Sequence, residues 1–230
     1  MSDTMREPLA RLIETELKQL RETELPRLRR PLVAITRDYG CGGEEIGHQL
    51  AEALEVPWFD RDLIERVAKA ARTDKAAMAA LDETVKGPLE VWVTSLLAQQ
   101  SFSPSEYLHH LVRVLMGIAR HGGVIMGRGS HVILKRQHPF RVRLVGTPEK
   151  CAERVALAEG LSERAAEAKV KQKNRERALF LWEDFHVRTN EPLNYDILIN
   201  TDGFADLGQV VEILRSAYHA FAASVSRAAV

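Results

Sequence analysis

The apolar, β-branched run Leu32-Val33-Ala34-Ile35-Thr36 gives way within four residues to a cluster of glycines, Gly40, Gly42, Gly43 and Gly47. Ile46, Leu50 and Leu54 then recur at four-residue spacing. The first run reads as a buried strand, because an apolar strand without alternation has both faces covered. The second reads as a helix that starts near Glu44 and stops before Pro57, where the backbone cannot continue helical hydrogen bonding. A strand that hands over to a helix through glycines lets backbone amides close around phosphate oxygens at the positive end of the helix dipole.

The rest of the chain repeats strand and helix. Residues 61–121 read as mostly helical: Leu63, Ile64 and Val67 share a face, and Lys86-Gly87-Pro88 marks a break. Ser103-Pro104-Ser105-Glu106 starts a helix that carries Leu108, Leu111, Val112 and Leu115. Strands are expected over residues 123–126 and 140–145, with a glycine-containing turn and a short apolar helix around Val132 to Leu134 between them. Thr147 is a natural N-cap, Pro148 suits the first helical position, and Gly160 is placed to end that helix in a left-handed conformation. A further helix begins at Ser162, residues 196–200 form a strand, and Val210, Val211, Leu214, Tyr218 and Phe221 mark one face of a closing helix. The expected fold is therefore α/β, with a largely parallel sheet flanked by helices and ligands at the carboxyl ends of its strands.

Ahead of this unit, Leu9, Leu12, Ile13, Leu17 and Leu20 lie at helical spacing among charged residues, so residues 1–30 read as an amphipathic N-terminal helix. Its leucine face is expected to be buried either on the main domain or against a second copy, which makes a homodimer through this helix one of two outcomes.

Composition removes several function classes. The 32 basic and 32 acidic residues cancel, leaving no long-range field to attract nucleic acid or an anionic membrane. Arg27, Arg29 and Arg30 form too short a cluster, balanced by Glu22 and Glu24, to argue for nucleic-acid binding. No segment approaches membrane-spanning or signal-peptide character. Cys41 and Cys151 fit neither a disulfide framework nor a metal-ligand set. The chain is expected to be soluble and cytoplasmic.

The glycine loop is not a standard Walker loop, because both the lysine for the β- and γ-phosphates and the following hydroxyl for magnesium are missing. Nor is it a dinucleotide fingerprint: counting from Gly40 puts Glu45 where the third glycine belongs, although Asp60 lies at a distance that would suit a ribose-binding acid.

The run I-T-R-D-Y-G-C-G-G-E-E-I-G, followed by A-E-A-L-E-V-P-W-F-D-R-D-L-I, resembles the opening of the cytidylate-kinase-like family. Met126-Gly127-Arg128-Gly129-Ser130, Thr147-Pro148-Glu149, Glu153-Arg154, Leu161-Ser162-Glu163, Arg175-Glu176-Arg177 and the segment from Asn194 to Thr201 follow in that family's order, so the resemblance covers about Leu32 to Tyr218. It implies a P-loop kinase-like three-layer α/β/α fold over residues 31–225, ATP with Mg2+ as phosphate donor, and CMP or a related nucleotide as acceptor. Residues 73–121 would be a helical insertion on the acceptor side and residues 160–190 a lid region. If that insertion replaces the usual acceptor-binding segment, the acceptor is a molecule other than CMP.

Site residues follow from the same resemblance. Gly40, Cys41, Gly42, Gly43, Glu44, Glu45 and Ile46 would form the phosphate-binding loop. Gly43 stands where cytidylate kinases have the loop lysine and Glu45 where they have the metal-binding hydroxyl, while relatives usually carry arginine at the position of Glu44. Arg66 and Arg128 match acceptor-phosphate positions, where a guanidinium's planar fork suits phosphate oxygens. Arg154, Arg175 and Arg177 resemble lid arginines, and with Arg128 they are the expected catalytic cations, since phosphoryl transfer depends on positive charge around the migrating group.

Other readings of these residues stay open. Glu44 and Glu45 suit a helix start through the dipole alone, and Glu45 is also the candidate metal ligand. Arg66 can pair with Asp62 on a helix face. Asp60 can bind substrate or cap the next helix, and Asp38 is another acid at a strand end. Lys169 to Arg177 is a charge run of the kind that usually covers a solvated face. Cys41, His109, His110, His121 and His131 have no pattern for nucleophilic or metal chemistry. Two functions are therefore expected: an ATP-dependent nucleoside monophosphate kinase or, given the absent lysine, a non-catalytic protein that senses a nucleotide or phosphometabolite.

Overall fold

The computed structural model describes residues 30–60, 62, 64 and 104–228. The chain divides into two compact units, one made of residues 1–30 with Phe59–Gly122, the other of Pro31–Trp58 with Gly123–Val230. The expected N-terminal helix, Arg66 and most of the expected insertion lie outside the described residues.

The second unit is built on strands β1 (Leu32–Arg37), β3 (Gly123–Met126), β4 (Phe140–Val145) and β5 (Ile197–Asn200), with the two-residue β2 (Trp58–Phe59) completing a five-stranded sheet of order β2-β3-β1-β4-β5. The β1 strand pairs in parallel with β3, Leu32 opposite Gly123, and with β4, Val33 opposite Phe140. It is buried along its whole length, as a central parallel strand with helices on both faces must be. Strands β2 and β3 lie on one side of β1 and β4 and β5 on the other, so the winding direction reverses at β1. Such a reversal opens a crevice at the carboxyl edge of a parallel sheet.

Helices flank this sheet: α1 (Gly43–Ala53), the single turn α3 (Ser130–Ile133), α4 (Pro148–Glu159), α5 (Glu163–Phe185) and α6 (Leu207–Ala228). The core gathers Val33, Ile35, Ile46, Leu50, Val142, Leu144, Val210 and Leu214 from strands and helices alike. As the sequence predicts, Thr147 caps α4 by accepting from the Lys150 amide, Pro148 opens the helix, and Gly160 closes it with φ 65°. Ser162 caps α5 by accepting from the Ala165 amide. Helices α4 and α5 pack on each other as a hairpin, although α5 runs for 23 residues and buries only Ala166, Val170 and Leu181.

In the first unit, α2 (Pro104–His121) buries Leu108, Leu111, Val112 and Leu115, the residues expected to share its apolar face. No helix among the described residues is long and apolar enough to cross a membrane.

Candidate functional site

After Arg37 the chain turns through Asp38, Tyr39, Gly40, Cys41 and Gly42 before α1 begins. Gly40 and Gly42 have φ of 85° and 79°, a left-handed conformation that side chains rarely adopt, so this turn needs glycine at both places. Gly42 is the N-cap residue of α1, and no side chain caps that helix. The first-turn amides and the positive end of the α1 dipole therefore face out of the loop, the arrangement that holds anions at helix starts.

This loop forms one wall of a cavity of about 660 Å3. Arg37 to Gly40 and Gly42 to Glu45 line it from the loop, Arg154 to Glu159 contribute from α4 without Ala156, and Arg177 reaches in from α5. Phe204 to Leu207, between β5 and α6, complete it. Its guanidinium groups and loop amides suit phosphates, while Val155, Leu157, Phe204 and Leu207 offer an apolar surface suited to a flat ring. Leu157 is 89% exposed, a large apolar side chain turned to water beside the cavity.

Each cation here is aimed by the framework. Arg154 donates through Nη1 to Thr201 Oγ1 at 3.1 Å and through Nη2 to the Thr201 carbonyl at 2.9 Å, which ties α4 to the end of β5. Arg177 donates through Nη1 to the Arg37 carbonyl at 3.1 Å and lies 5.3 Å over the Tyr39 ring, which ties α5 to the loop. Tyr39 holds the same joint: its amide donates to Asn174 Oδ1 at 2.7 Å and its hydroxyl to Glu159 Oε1 at 2.6 Å. Glu159 also pairs with Lys169. That pairing and the Tyr39 hydroxyl hold the Glu159 carboxyl below the usual range, while partial burial and the carboxylate push the Tyr39 phenol up.

Beneath the loop lies a second set of polar groups. Arg143 Nη2 donates to Asp38 Oδ1 at 2.5 Å, with the arginine side chain only 3% exposed. Thr36 Oγ1 meets His131 Nδ1 at 3.1 Å, and His131 stacks on Tyr195 with ring centroids 5.3 Å apart. Burial, then the charges of Arg141 and Arg143, push the His131 pKa down to about 4, so its imidazole is neutral at pH 7.

Arg128 follows β3 with φ 51°, between Gly127 and Gly129, which are also left-handed. A non-glycine residue held there stores strain of about 1 kcal/mol, and strained positions of this kind concentrate at functional sites. Its guanidinium rests 5.6 Å over the Phe180 ring of α5.

The structure thus brings Gly40, Gly42, Gly43, Glu44, Glu45, Arg154 and Arg177 around one cavity. Cys41 and Ile46 are fully buried behind the loop. Arg128 does not line the cavity, Arg175 is exposed on α5, and Asp60 belongs to the other compact unit. Burial pushes the Cys41 thiol up, and burial with the nearby Cys41 and Asp38 pushes Cys151 up to about 12, so neither is a thiolate at pH 7. Arg37, Tyr39, Arg143 and Asn174 also belong to this region, although no motif assigns them a role. The signal available for Arg143 is a second cation in the middle of the short strand Phe-Arg-Val-Arg-Leu-Val, where a buried charge must be balanced by an ion pair.

Among the described residues no group of three or more His, Cys, Asp or Glu side chains is arranged to hold a metal ion. Asp38, Glu44 and Glu45 line the cavity as separate carboxylates. Such a lining fits magnesium, which keeps several waters and takes one or two carboxylates together with substrate phosphates.

The sequence matches the profile described as "Cytidylate kinase-like family" over residues 32–203, more than half of the chain. Among solved structures, an uncharacterized protein from Eubacterium ventriosum is 19% identical, with a TM-score of 0.62 over 82% of this chain and 98% of that one. A shikimate kinase from Bacteroides thetaiotaomicron is 16% identical, with a TM-score of 0.45 over 81% of this chain and 97% of its own. At 19% identity the likeness to the first of these concerns the fold alone. No curated protein matches the sequence.

Proposed function

Because this chain belongs to the cytidylate kinase-like family, we propose that it is a nucleoside monophosphate kinase that moves a phosphoryl group from ATP to CMP or a related acceptor. The observation that carries this reading is the cavity in which an uncapped helix start meets Arg154 and Arg177 on one side and an apolar surface on the other. The loop amides from Gly40 to Ile46 would hold the donor phosphates, and Arg154, Arg175 and Arg177 on the α4–α5 hairpin would close over them as a lid, excluding water. Asp60, Arg66 and Arg128 would bind the acceptor, with residues 73–121 as an acceptor-side insertion. Glu45 would hold magnesium through its carboxylate, and the bound ion would neutralise charge on the transferring phosphate.

Glu44 and Glu45 lie at the helix start and Gly43 has no side chain, so the electrostatic stabilisation falls to amides, magnesium and arginines. That same feature favours one second reading, a non-catalytic sensor of a nucleotide or phosphometabolite. The leucine face of residues 1–30 would bury itself on the domain or pair two copies, and two unbridged thiols suit the cytoplasm.

The test is incubation with magnesium-ATP and a panel of nucleoside monophosphates, following ADP and diphosphate formation by chromatography. The expected outcome is turnover of CMP or a near relative, falling about a hundredfold or more in Arg128→Ala while the fold persists. Saturable nucleotide binding without product from any acceptor would establish the sensor instead.

A further inference from the structure

The walls of the cavity hold a cation that the loop pattern does not announce. Counting G-x-x-x-x-G-K backwards from Gly42 puts the pattern's first glycine at Arg37 and its lysine at Gly43. The two ends of the loop have exchanged a glycine and a cation. Space enforces the exchange: a Cβ placed on Gly43 would lie 2.8 Å from Arg37 Cγ and 3.0 Å from Arg37 Cβ. The Arg37 stem therefore fills the volume a side chain at 43 would enter, and only one of the two positions can supply a cation.

The guanidinium is placed between the donor loop and the segment that follows β3. Its Nη1 lies 2.9 Å from where a Cβ on Gly127 would sit, and its Nη2 lies 3.5 Å from Glu44 Oε1. Arg37 is 6% exposed and lines the cavity, whereas the Glu44 side chain is 74% exposed and can turn into water at little cost. An ion pair of that length with a solvated carboxylate is weak. A phosphate, with two or more oxygens for a planar guanidinium, competes well against it.

We infer that Arg37 is the phosphate-binding cation of this loop, doing from the end of β1 what a lysine at position 43 does elsewhere, with Glu44 as a partner that polyphosphate displaces. This rests on the reading that the cavity takes a nucleotide, and it adds the residue that distinguishes a di- or triphosphate from a monophosphate.

The experiment is calorimetric titration of the full chain with magnesium-ADP and with AMP, for wild type, Arg37→Met, Arg37→Lys and the double variant Arg37→Ala with Gly43→Lys. Wild type is expected to prefer ADP. Arg37→Met should weaken ADP by about tenfold or more, the usual worth of a charge-assisted hydrogen bond, and leave AMP unchanged. Arg37→Lys should retain most of the preference, and the double variant should regain it, because alanine at 37 has no Cγ and so removes the nearer of the two atoms that crowd residue 43. A merely structural role would weaken both nucleotides together. Retention of the full ADP preference in Arg37→Met overturns the inference and leaves the nucleotide reading standing. Failure of wild type to bind either nucleotide overturns both.

Discussion

Arg37 and Arg143 are two buried guanidinium groups near the carboxyl ends of neighbouring strands, and they differ in what holds them. Arg143 reaches Asp38 at 2.5 Å and adds a bond from Nη1 to the Leu144 carbonyl at 3.2 Å. Arg37 faces Glu44 at 3.5 Å, and that carboxylate is mostly in water. A close pair between sheltered partners holds the framework rigid, while a long pair with a solvated partner can be exchanged for a ligand at small cost. Burial alone does not separate a structural cation from a functional one, since both arginines are more than nine-tenths hidden.

The largest effect that bears on this contrast is on stability. Arg143→Met leaves Asp38 without its close partner and should cost about 3 kcal/mol in urea denaturation, whereas breaking the Arg37 pair through Glu44→Gln should cost under about 1 kcal/mol. Equal losses would end the distinction between the two.

A second effect, of comparable size, reads the charge around Arg143 through His131. The folded pKa of this histidine is depressed to about 4 from an unfolded 6.5, so the unfolded chain binds the extra proton in between. Its contribution to stability is complete above pH 6.5 and drains away as pH falls towards 4, by roughly 3 kcal/mol in all. Urea midpoints at pH 7 and pH 4.5 should differ less in His131→Asn than in wild type. Because Arg143 is one of the charges that holds the value down, Arg143→Met should also flatten the difference; an unchanged pH dependence in both variants would show that His131 does not report on this region.

The smallest effect sharpens the Arg37 side. Glu44→Gln removes the carboxylate that a phosphate must displace and should tighten magnesium-ADP by about threefold, in keeping with a solvated pair worth under about 1 kcal/mol. Weaker ADP binding in that variant would instead make Glu44 a ligand to the magnesium or its waters.

Much of the frame was legible in the sequence because its signals are local. The strand from Leu32, the glycine turn, the helix over Ile46 and Leu50, and the caps at Thr147, Ser162 and Gly160 each depend on residues a few positions apart. The pairings that organise the site are not local. Arg143 and Asp38 are 105 residues apart, Tyr39 and Asn174 are 135, and Arg177 and the Arg37 carbonyl are 140. The resemblance picks out Arg175 and Arg177 together, and on a helix with hardly any apolar stripe to orient it the two are told apart only when Tyr39 is seen beneath Arg177. Arg37 is hidden for a related reason: the loop pattern asks for a lysine at its far end, and the group that fills that space arrives from the strand before it.

The two sulfurs have a practical consequence for spectroscopy. Cys41 and Cys151 are the only cysteines in the chain, both are fully buried, and both are held in the unreactive thiol form. A cysteine introduced at exposed Lys171 on α5 would therefore take up a maleimide fluorophore or spin label alone, with neither native sulfur removed. The protein comes ready for site-selective labelling, and the rate at which that one position reacts, with and without nucleotide, is a direct reading of whether α5 changes its surroundings when the cavity fills.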